Sequence, residues 1–464
     1  MSNLSELIPA GGGQNNTDFV ADGGITSGKP VILTAAGKAA QVGESSVALD
    51  VPYITTDTAG SVWDATATRT NSSLQFDPLV EGRMLVGYND ATGYPSAIVG
   101  EQDGSSITWG VSTVLVSVYT SWSVSVAFDP ANTNQFVAQY YDATATDIEA
   151  VSGTITGSGA TAAFTLGTAV QLYNGAPVTT GPQCVAFDPS ASATALFLYI
   201  YSGPVAKLVA ATMVGNVITL GTEITAADVK DSVQQSITFN SAGTFILNYI
   251  SNSTQNIDAY TGGISGTTVT ISSAVNVGGG SSGGNSALCN FDPYNDNKAG
   301  FAYEISSNAT VQIVTLSGAG ASATITLGTA TTYFSGDIET GGACLFNDST
   351  AGQLVTVYMR GDVPKDIEAR AATYDDSSTS NTLTLGTVYT MWDTSATGFP
   401  QARYPAGCVN GIFGVTFVRD DDHDGTVVLG KLETQETNLT ATNLLGIASG
   451  AILDTATGTI NTWG

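Results

Sequence analysis

Positive charge is the scarcest feature of this chain. Lys and Arg together number 13 against 40 Asp and Glu, and His423 is the only histidine. The formal net charge of −27 repels phosphate backbones and anionic lipid, which excludes nucleic-acid binding and electrostatic membrane docking. Charged residues of either sign make up 11% of the chain, against about 25% in ordinary soluble domains. Ser, Thr, Asn and Gly must therefore cover most of the surface. Long hydrophobic runs are also missing, and none approaches the ~18 residues of a membrane span. The first residues, Met-Ser-Asn-Leu-Ser-Glu-Leu-Ile-Pro, lack the basic and apolar regions of a signal peptide. The four cysteines, Cys184, Cys289, Cys344 and Cys408, have neither metal-ligand spacing nor the look of a disulfide framework. They read as small, buried, free thiols. An extracellular type of surface without an export signal is the combination expected of a protein made in a host cytoplasm and released by lysis.

Catalytic equipment is equally thin. A Ser-His-Asp or Cys-His site could form only around His423, which sits in an acidic turn. There is no Gly-x-Ser-x-Gly elbow and no phosphate-binding loop. The arginines Arg69, Arg83, Arg360, Arg370, Arg403 and Arg419 are not accompanied by the Asp-box turns of propeller sialidases. Aspartates are plentiful, but nothing selects a pair for glycoside hydrolysis. The chain is read as a non-enzyme.

What is present is a repeat. Leu74-Gln75-Phe76-Asp77-Pro78 returns at Val126 to Pro130, Val185 to Pro189 and Cys289 to Pro293. Decayed copies end at Phe239-Asn240 and Phe346-Asn347, so the anchor phenylalanines lie 52, 59, 52, 52 and 55 residues apart. A more degenerate seventh copy begins near Cys408. Each copy reads as an alternating strand, an Asp-Pro turn, a second strand with an aromatic, a polar hairpin, and a third strand. A fourth strand often ends in Leu-Gly-Thr, as at Leu166, Leu220, Leu327 and Leu385. The second-strand aromatics are Tyr88, Tyr140, Tyr199, Tyr249, Tyr303, Tyr358 and Phe417, read as packing between blades rather than as a sugar platform. This pattern predicts an all-β fold, a β-propeller of seven four-stranded blades. Six blades, or an array of β-sandwiches, are the structural alternatives. The seventh copy has no fourth strand after Leu432. Val47 to Ile54, with Pro52 suited to an outer edge, is expected to close the ring.

The ends of the chain carry a different pattern. Gly24 to Lys38 reads as a hairpin containing Gly28-Lys29-Pro30-Val31-Ile32-Leu33 and Gly37-Lys38. A second hairpin is spelled by Leu444-Leu445-Gly446-Ile447-Ala448 and Ala456-Thr457-Gly458-Thr459-Ile460. Together these segments resemble the small β-modules of tailed-bacteriophage structural proteins, such as decoration and fibre-associated proteins. The resemblance implies a virion-docking module with a propeller inserted into one loop. The expected organisation is a flexible tail and first half-module over 1–46, a propeller over 47–435 and a second half-module over 436–464. Pro9 to Asp18 reads as the flexible part.

The candidate sites are loops. Asp420, Asp422 and Asp424, followed by Gly425, place alternate carboxylates on one tight turn, a donor set that suits calcium. The hairpins between second and third strands are the candidate binding loops. They offer Asp90 and Tyr94, Asp142 and Asp147, Asn252 and Asn256, Arg360 and Asp362, and Arg419. Arg360-Gly361-Asp362 is read as a turn and nothing more. The functional expectation is a virion structural or appendage protein, as capsid decoration, tail fibre or nozzle. Its partners would be other virion proteins, further copies of itself and a host-surface glycan. A carbohydrate-active propeller hydrolase and a bacterial extracellular or filament protein are the alternatives.

Overall fold

The computed structural model describes residues 16–21, 23–25, 27, 30–33, 38–41, 52–64, 69–117, 124–175, 184–201, 205–229, 235–278, 287–305, 308–336, 338–361, 366–375, 381–393, 406–418, 424–433, 444–448 and 456–462. They divide into two compact units, Val51–Glu433 and the pair Met1–Asp50 with Thr434–Gly464. No described segment is an α-helix; the chain is strands, turns and two short 3-10 turns.

The larger unit is a seven-bladed β-propeller. Seven antiparallel sheets make it up, six of them meanders of consecutive strands and the seventh completed by a strand from before the first blade. Their first strands are Arg69–Phe76, Ser125–Phe128, Cys184–Phe187, Ser236–Phe239, Ala287–Asp292, Ile338–Phe346 and Ala406–Val409. Asp77, Asp129, Asp188 and Asp292 follow the anchor phenylalanines, and their carboxylates cap the turn that leaves the strand. Asp129 Oδ1, for example, accepts the Ala131 N–H at 2.8 Å, and Asp188 Oδ1 accepts that of Ser190 at 2.8 Å. Asn347 does the same for Ser349, which explains why the decayed copies keep Asn where they lose Asp.

The blades are held together by aromatic wedges. Each second-strand aromatic is buried, from 0% exposed at Tyr140 to 3% at Tyr249. Several face an aromatic on the outer strand of the preceding blade. Tyr199 lies 5.9 Å from Tyr173, Tyr358 5.0 Å from Phe334, Phe417 5.1 Å from Trp392 and Tyr88 6.3 Å from Trp63. Burying such a side chain contributes about 1.5–3 kcal/mol.

The Leu-Gly-Thr signature ends a strand at Leu166 and Leu220, as expected, but lies inside one long strand at Leu327 and Leu385. In blades 1 to 4 the outer strand comes in two pieces on one partner, as Ala163–Leu166 and Val170–Asn174 do on Asp147–Thr156. Blades 5 and 6 keep one long outer strand with register shifts. Glycine is required at the break because the next blade comes close. A Cβ on Gly167 would lie 1.8 Å from the Asn216 carbonyl oxygen, and one on Gly221 2.2 Å from that of Thr267.

Ring closure differs from the sequence expectation in its boundaries. The strand that completes blade 7 is Tyr53–Asp64, paired antiparallel with Gly425–Glu433 from Tyr53↔Glu433 to Asp64↔Gly425. Of the expected segment Val47 to Ile54, only Tyr53 and Ile54 are in it; residues 47–51 lie outside the described residues. The strand starts directly after Pro52, which cannot donate to a ladder. Its continuation, Thr55 to Asp64, was hidden because it carries little apolar alternation and kinks at Gly60, where φ is +69°.

The smaller unit joins the two chain ends in one five-stranded sheet. Its order is Asn16–Val20, Thr457–Thr462, Leu444–Ala448, Pro30–Leu33 and Ala39–Gln41. Ala21, Ile25, Val31 and Ala39 form its small buried core, with Phe19 and Ala456 packed against them. Asn16, Thr17 and Asp18, expected in the flexible tail, are strand residues instead, with Asp18 opposite Thr459. The pull of Phe19 toward that core supplies the reason. The units meet at 50/51 and 433/434, a few residues inside the boundaries expected from the sequence.

Candidate functional site

In an antiparallel meander, the hairpins between second and third strands emerge at the opposite end from the Asp-capped turns. At the hairpin end, Asp90 is engaged within its own loop. Its Oδ1 accepts the N–H groups of Thr92 at 2.9 Å and Tyr94 at 3.0 Å, and its Oδ2 accepts the Ser96 hydroxyl at 3.2 Å. Asp142 is buried and caps Thr144 and Ala145 at 2.7 and 3.0 Å, while buried Asp147 accepts from the Gln171 amide. Asn252 is exposed, and Asn256 closes its loop by backbone bonding to Ser251 at 2.8 Å. Arg360 lies over the Phe334 ring, 5.8 Å from its centroid, and 3.8 Å from Glu368. Asp362, Arg419, Asp420 and Asp422 lie outside the described residues; Asp424 precedes the strand Gly425–Glu433 and is half-buried. Among the described residues no three His, Cys, Asp or Glu side chains gather as metal ligands.

The axis carries a second candidate, a cavity of about 350 Å³ between the first strands. It arises from strand alternation. Phe128 and Val126 pack toward the preceding blade, whereas Ala127 packs and Ser125 bonds toward the next one, and the first strands line the cavity along their inner edges. Pro78, Pro130 and Pro189 line its end at the Asp-capped turns. Among the described residues, no Asp, Glu, Lys, Arg or His lines it.

A hydrogen-bond relay runs around this cavity, and the sequence reading missed it. Ser73 donates to the Val124 carbonyl at 2.6 Å. Ser125 Oγ accepts the Val185 N–H at 3.3 Å, and Ser236 Oγ accepts that of Cys289 at 2.9 Å. Cys184 takes the same place and accepts from the Ile237 N–H; burial pushes its thiol up to about 11 despite that bond. Asn290 reaches the Cys344 carbonyl at 2.8 Å. Side chains thus satisfy inner-edge backbone groups that a bare first strand would leave open. The signal was legible as a Ser or Cys three residues before the anchor, at Ser73, Ser125, Cys184 and Ser236.

Arginines do not cluster among the described residues. Arg83 pairs with Glu101 at 3.1 Å and lies 3.7 Å from Asp77. Arg370 donates to the carbonyls of Gly386 at 2.7 Å and Tyr333 at 2.8 Å. Each guanidinium is taken up within the propeller framework. A shallower hollow of about 280 Å³ lies at the seam of blades 7 and 1, lined by Glu81, Asp103, Asn410 and Lys431 over Phe76 and Ile412. It exists because blade 7 replaces the long Asp-capped turn with the two-residue turn Asn410-Gly411, both at positive φ.

The fold and site define a β-propeller with an axial cavity and a separate sheet made from both chain ends. No family model matches the sequence, and no curated protein matches it. Solved structures similar to it include a candidate 6-phosphogluconolactonase from Bacteroides fragilis NCTC 9343, at 10% identity and TM-score 0.47, covering 80% of this chain and 94% of that one. The SapL1 lectin in complex with alpha methyl fucoside aligns at 10% identity and TM-score 0.42, over 70% of this chain and 98% of its own. Aleuria aurantia lectin in complex with alpha-methyl-L-fucoside gives 9% and 0.40, over 71% and 99%. At such identities and TM-scores, no activity or ligand transfers to this chain.

Proposed function

We propose that the protein is a non-catalytic virion component, docked through the sheet of its two chain ends and presenting the propeller. The observation that carries the reading is that sheet: residues before and after the propeller pair strand by strand into one unit with its own core. A propeller held at both ends of its chain is an insertion into a docking module, which is what the resemblance to phage β-modules implies. The described residues that line the axial cavity include no carboxylate, which supports a non-catalytic role, because hydrolysis of glycosides needs carboxylates facing the bond that breaks. The loops between second and third strands are the surface for host glycan, with Thr92, Thr144, Asn252 and Thr254 exposed there. The test is reattachment of the full chain to particles that lack it. Val31→Asp, at a fully buried position of the terminal sheet, should abolish attachment while the propeller keeps its β-sheet circular dichroism. Attachment that survives loss of the terminal sheet would refute the docking role.

A further inference from the structure

One hairpin departs from the repeat at the end of the propeller that carries the Asp-capped turns. In an antiparallel meander the turns between third and fourth strands lie at this end too. At their tips the last cross-strand pair is Asp103 with Ser106 in blade 1, Ser265 with Thr268 in blade 4 and Ser317 with Thr324 in blade 5. In blade 3 the same pair is Val214 with Val217, 81% and 66% exposed. Polar residues close those three tips, so the fold does not require valine at this place. Directly opposed residues of an antiparallel pair have Cβ atoms about 5 Å apart, so the two valines form one apolar knob. The knob is held rigidly against blade 2. Gln135 donates to the Gly215 carbonyl, Asn216 donates to the Thr165 carbonyl at 2.8 Å, and Gly167 leaves room for the Asn216 carbonyl. An apolar pair presented to water on a fixed tip, where the fold accepts polar residues, marks a contact surface.

We propose that the knob of Val214 and Val217 is a second contact of the chain with its particle, seated in an apolar recess of a virion protein whose rim carries Lys or Arg. The proposal rests on the virion reading and gives the propeller a partner surface of its own. Charge selects the rim. Glu81, Asp103, Asp296 and Asp348 lie on turns of the same end, exposed or half-buried. The basic side chains near them do not offset this charge: Arg83 and Lys298 are buried, and Lys431 pairs with Glu433 at 2.7 Å. An acidic partner, a second copy of this end included, would set carboxylates against carboxylates, whereas a basic rim complements them. Leu79 and Tyr294, exposed on the Asp-capped turns of blades 1 and 5, add apolar contacts at the same end. The course of the chain agrees. Tyr53 opens the propeller and Glu433 ends it, and the two pair with each other at this end. Both links to the terminal sheet therefore start here. A contact tethered to a docked sheet forms intramolecularly, so a small knob adds strongly to attachment. The loops between second and third strands stay free at the opposite end.

The experiment is reattachment of the full chain to particles that lack it, with Val214→Asp and Val217→Asp combined in one variant. Both positions are exposed, so the thermal midpoint should not change. Attachment should weaken at least about threefold, because a charge enters the apolar recess. Glu81→Lys combined with Asp103→Lys should also weaken attachment at least about threefold at low salt, and less at high salt. Failure of the unaltered chain to attach overturns the virion reading and this contact with it. Attachment that Val31→Asp abolishes but the valine variant changes by less than that overturns the knob alone. Charge reversal without effect overturns the basic rim. If the free chain forms a dimer or larger assembly that the valine variant dissociates, as read by analytical ultracentrifugation, the knob belongs to a contact between copies and the proposal also falls.

Discussion

A methyl group at Gly167 would sit 1.8 Å from the Asn216 carbonyl oxygen, so Gly167→Ala forces two blades apart. The expected cost is about 1–3 kcal/mol, read as a shift in urea midpoint. Gly24→Ala, where a Cβ meets nothing within 4 Å and φ is not positive, serves as the comparison and should be nearly neutral. Equal effects at the two sites would contradict the close blade contact. The Asp caps invite a second test at the same scale. Because Asn already serves at positions 240 and 347, Asp129→Asn should be tolerated. Asp129→Ala should cost about 1 kcal/mol by leaving the Ala131 N–H and the Asn132 amide without their partner. A chemical-denaturation series on the three proteins decides it, and an Asn variant as weak as the Ala variant would show that charge, not the cap, is required.

Strands are where prediction and structure part company. Six first strands were legible because buried positions alternate and a Phe-Asp or Phe-Asn anchor repeats, while the seventh, Ala406–Val409, was placed only as a degenerate copy near Cys408. The second-strand aromatics were legible for the same reason. The closing strand was located only at its first two residues, Tyr53 and Ile54, because Thr55 to Asp64 is mostly Thr, Ser, Gly and Ala and has no apolar period to read. The axial relay escaped notice because Ser73, Ser125 and Ser236 look like ordinary polar positions until the ring brings each beside the next blade. Closure itself is testable through Trp63, which is 6% exposed on the closing strand and packs at 6.3 Å against both Tyr88 and Trp109. Trp63→Ala should cost about 3–5 kcal/mol, because it loosens the seam that holds the ring shut. A loss below about 1 kcal/mol, measured by denaturant unfolding, would mean the seam contributes little.

At the scale of the whole molecule, the wedges set a limit on pH. Burial raises the phenols of Tyr88, Tyr140, Tyr199, Tyr333 and Tyr358 above their ordinary value of 10.0, and that of Tyr303 to about 12. A raised folded value means the unfolded chain loses its protons first. The stabilisation is thus complete below pH 10 and drains away as pH rises from there through the folded values. Stability measured from pH 8 to 12 should fall steeply above 10, with phenolate absorbance appearing together with unfolding. Phenolate absorbance that rises near pH 10 in a protein still folded would contradict the buried wedges.

The two-unit organisation bears most directly on what the protein is for. In the proposed reading, the sheet assembled from both chain ends attaches, and the seven-bladed ring is what that attachment presents. Cryo-electron microscopy of the native particle carrying this chain tests the claim in one step. The account predicts density for the strands of the terminal sheet against neighbouring virion proteins, with the propeller projecting and its loops clear of the particle. A propeller buried in the shell with the terminal sheet free, or particles from which the chain is absent, would contradict it.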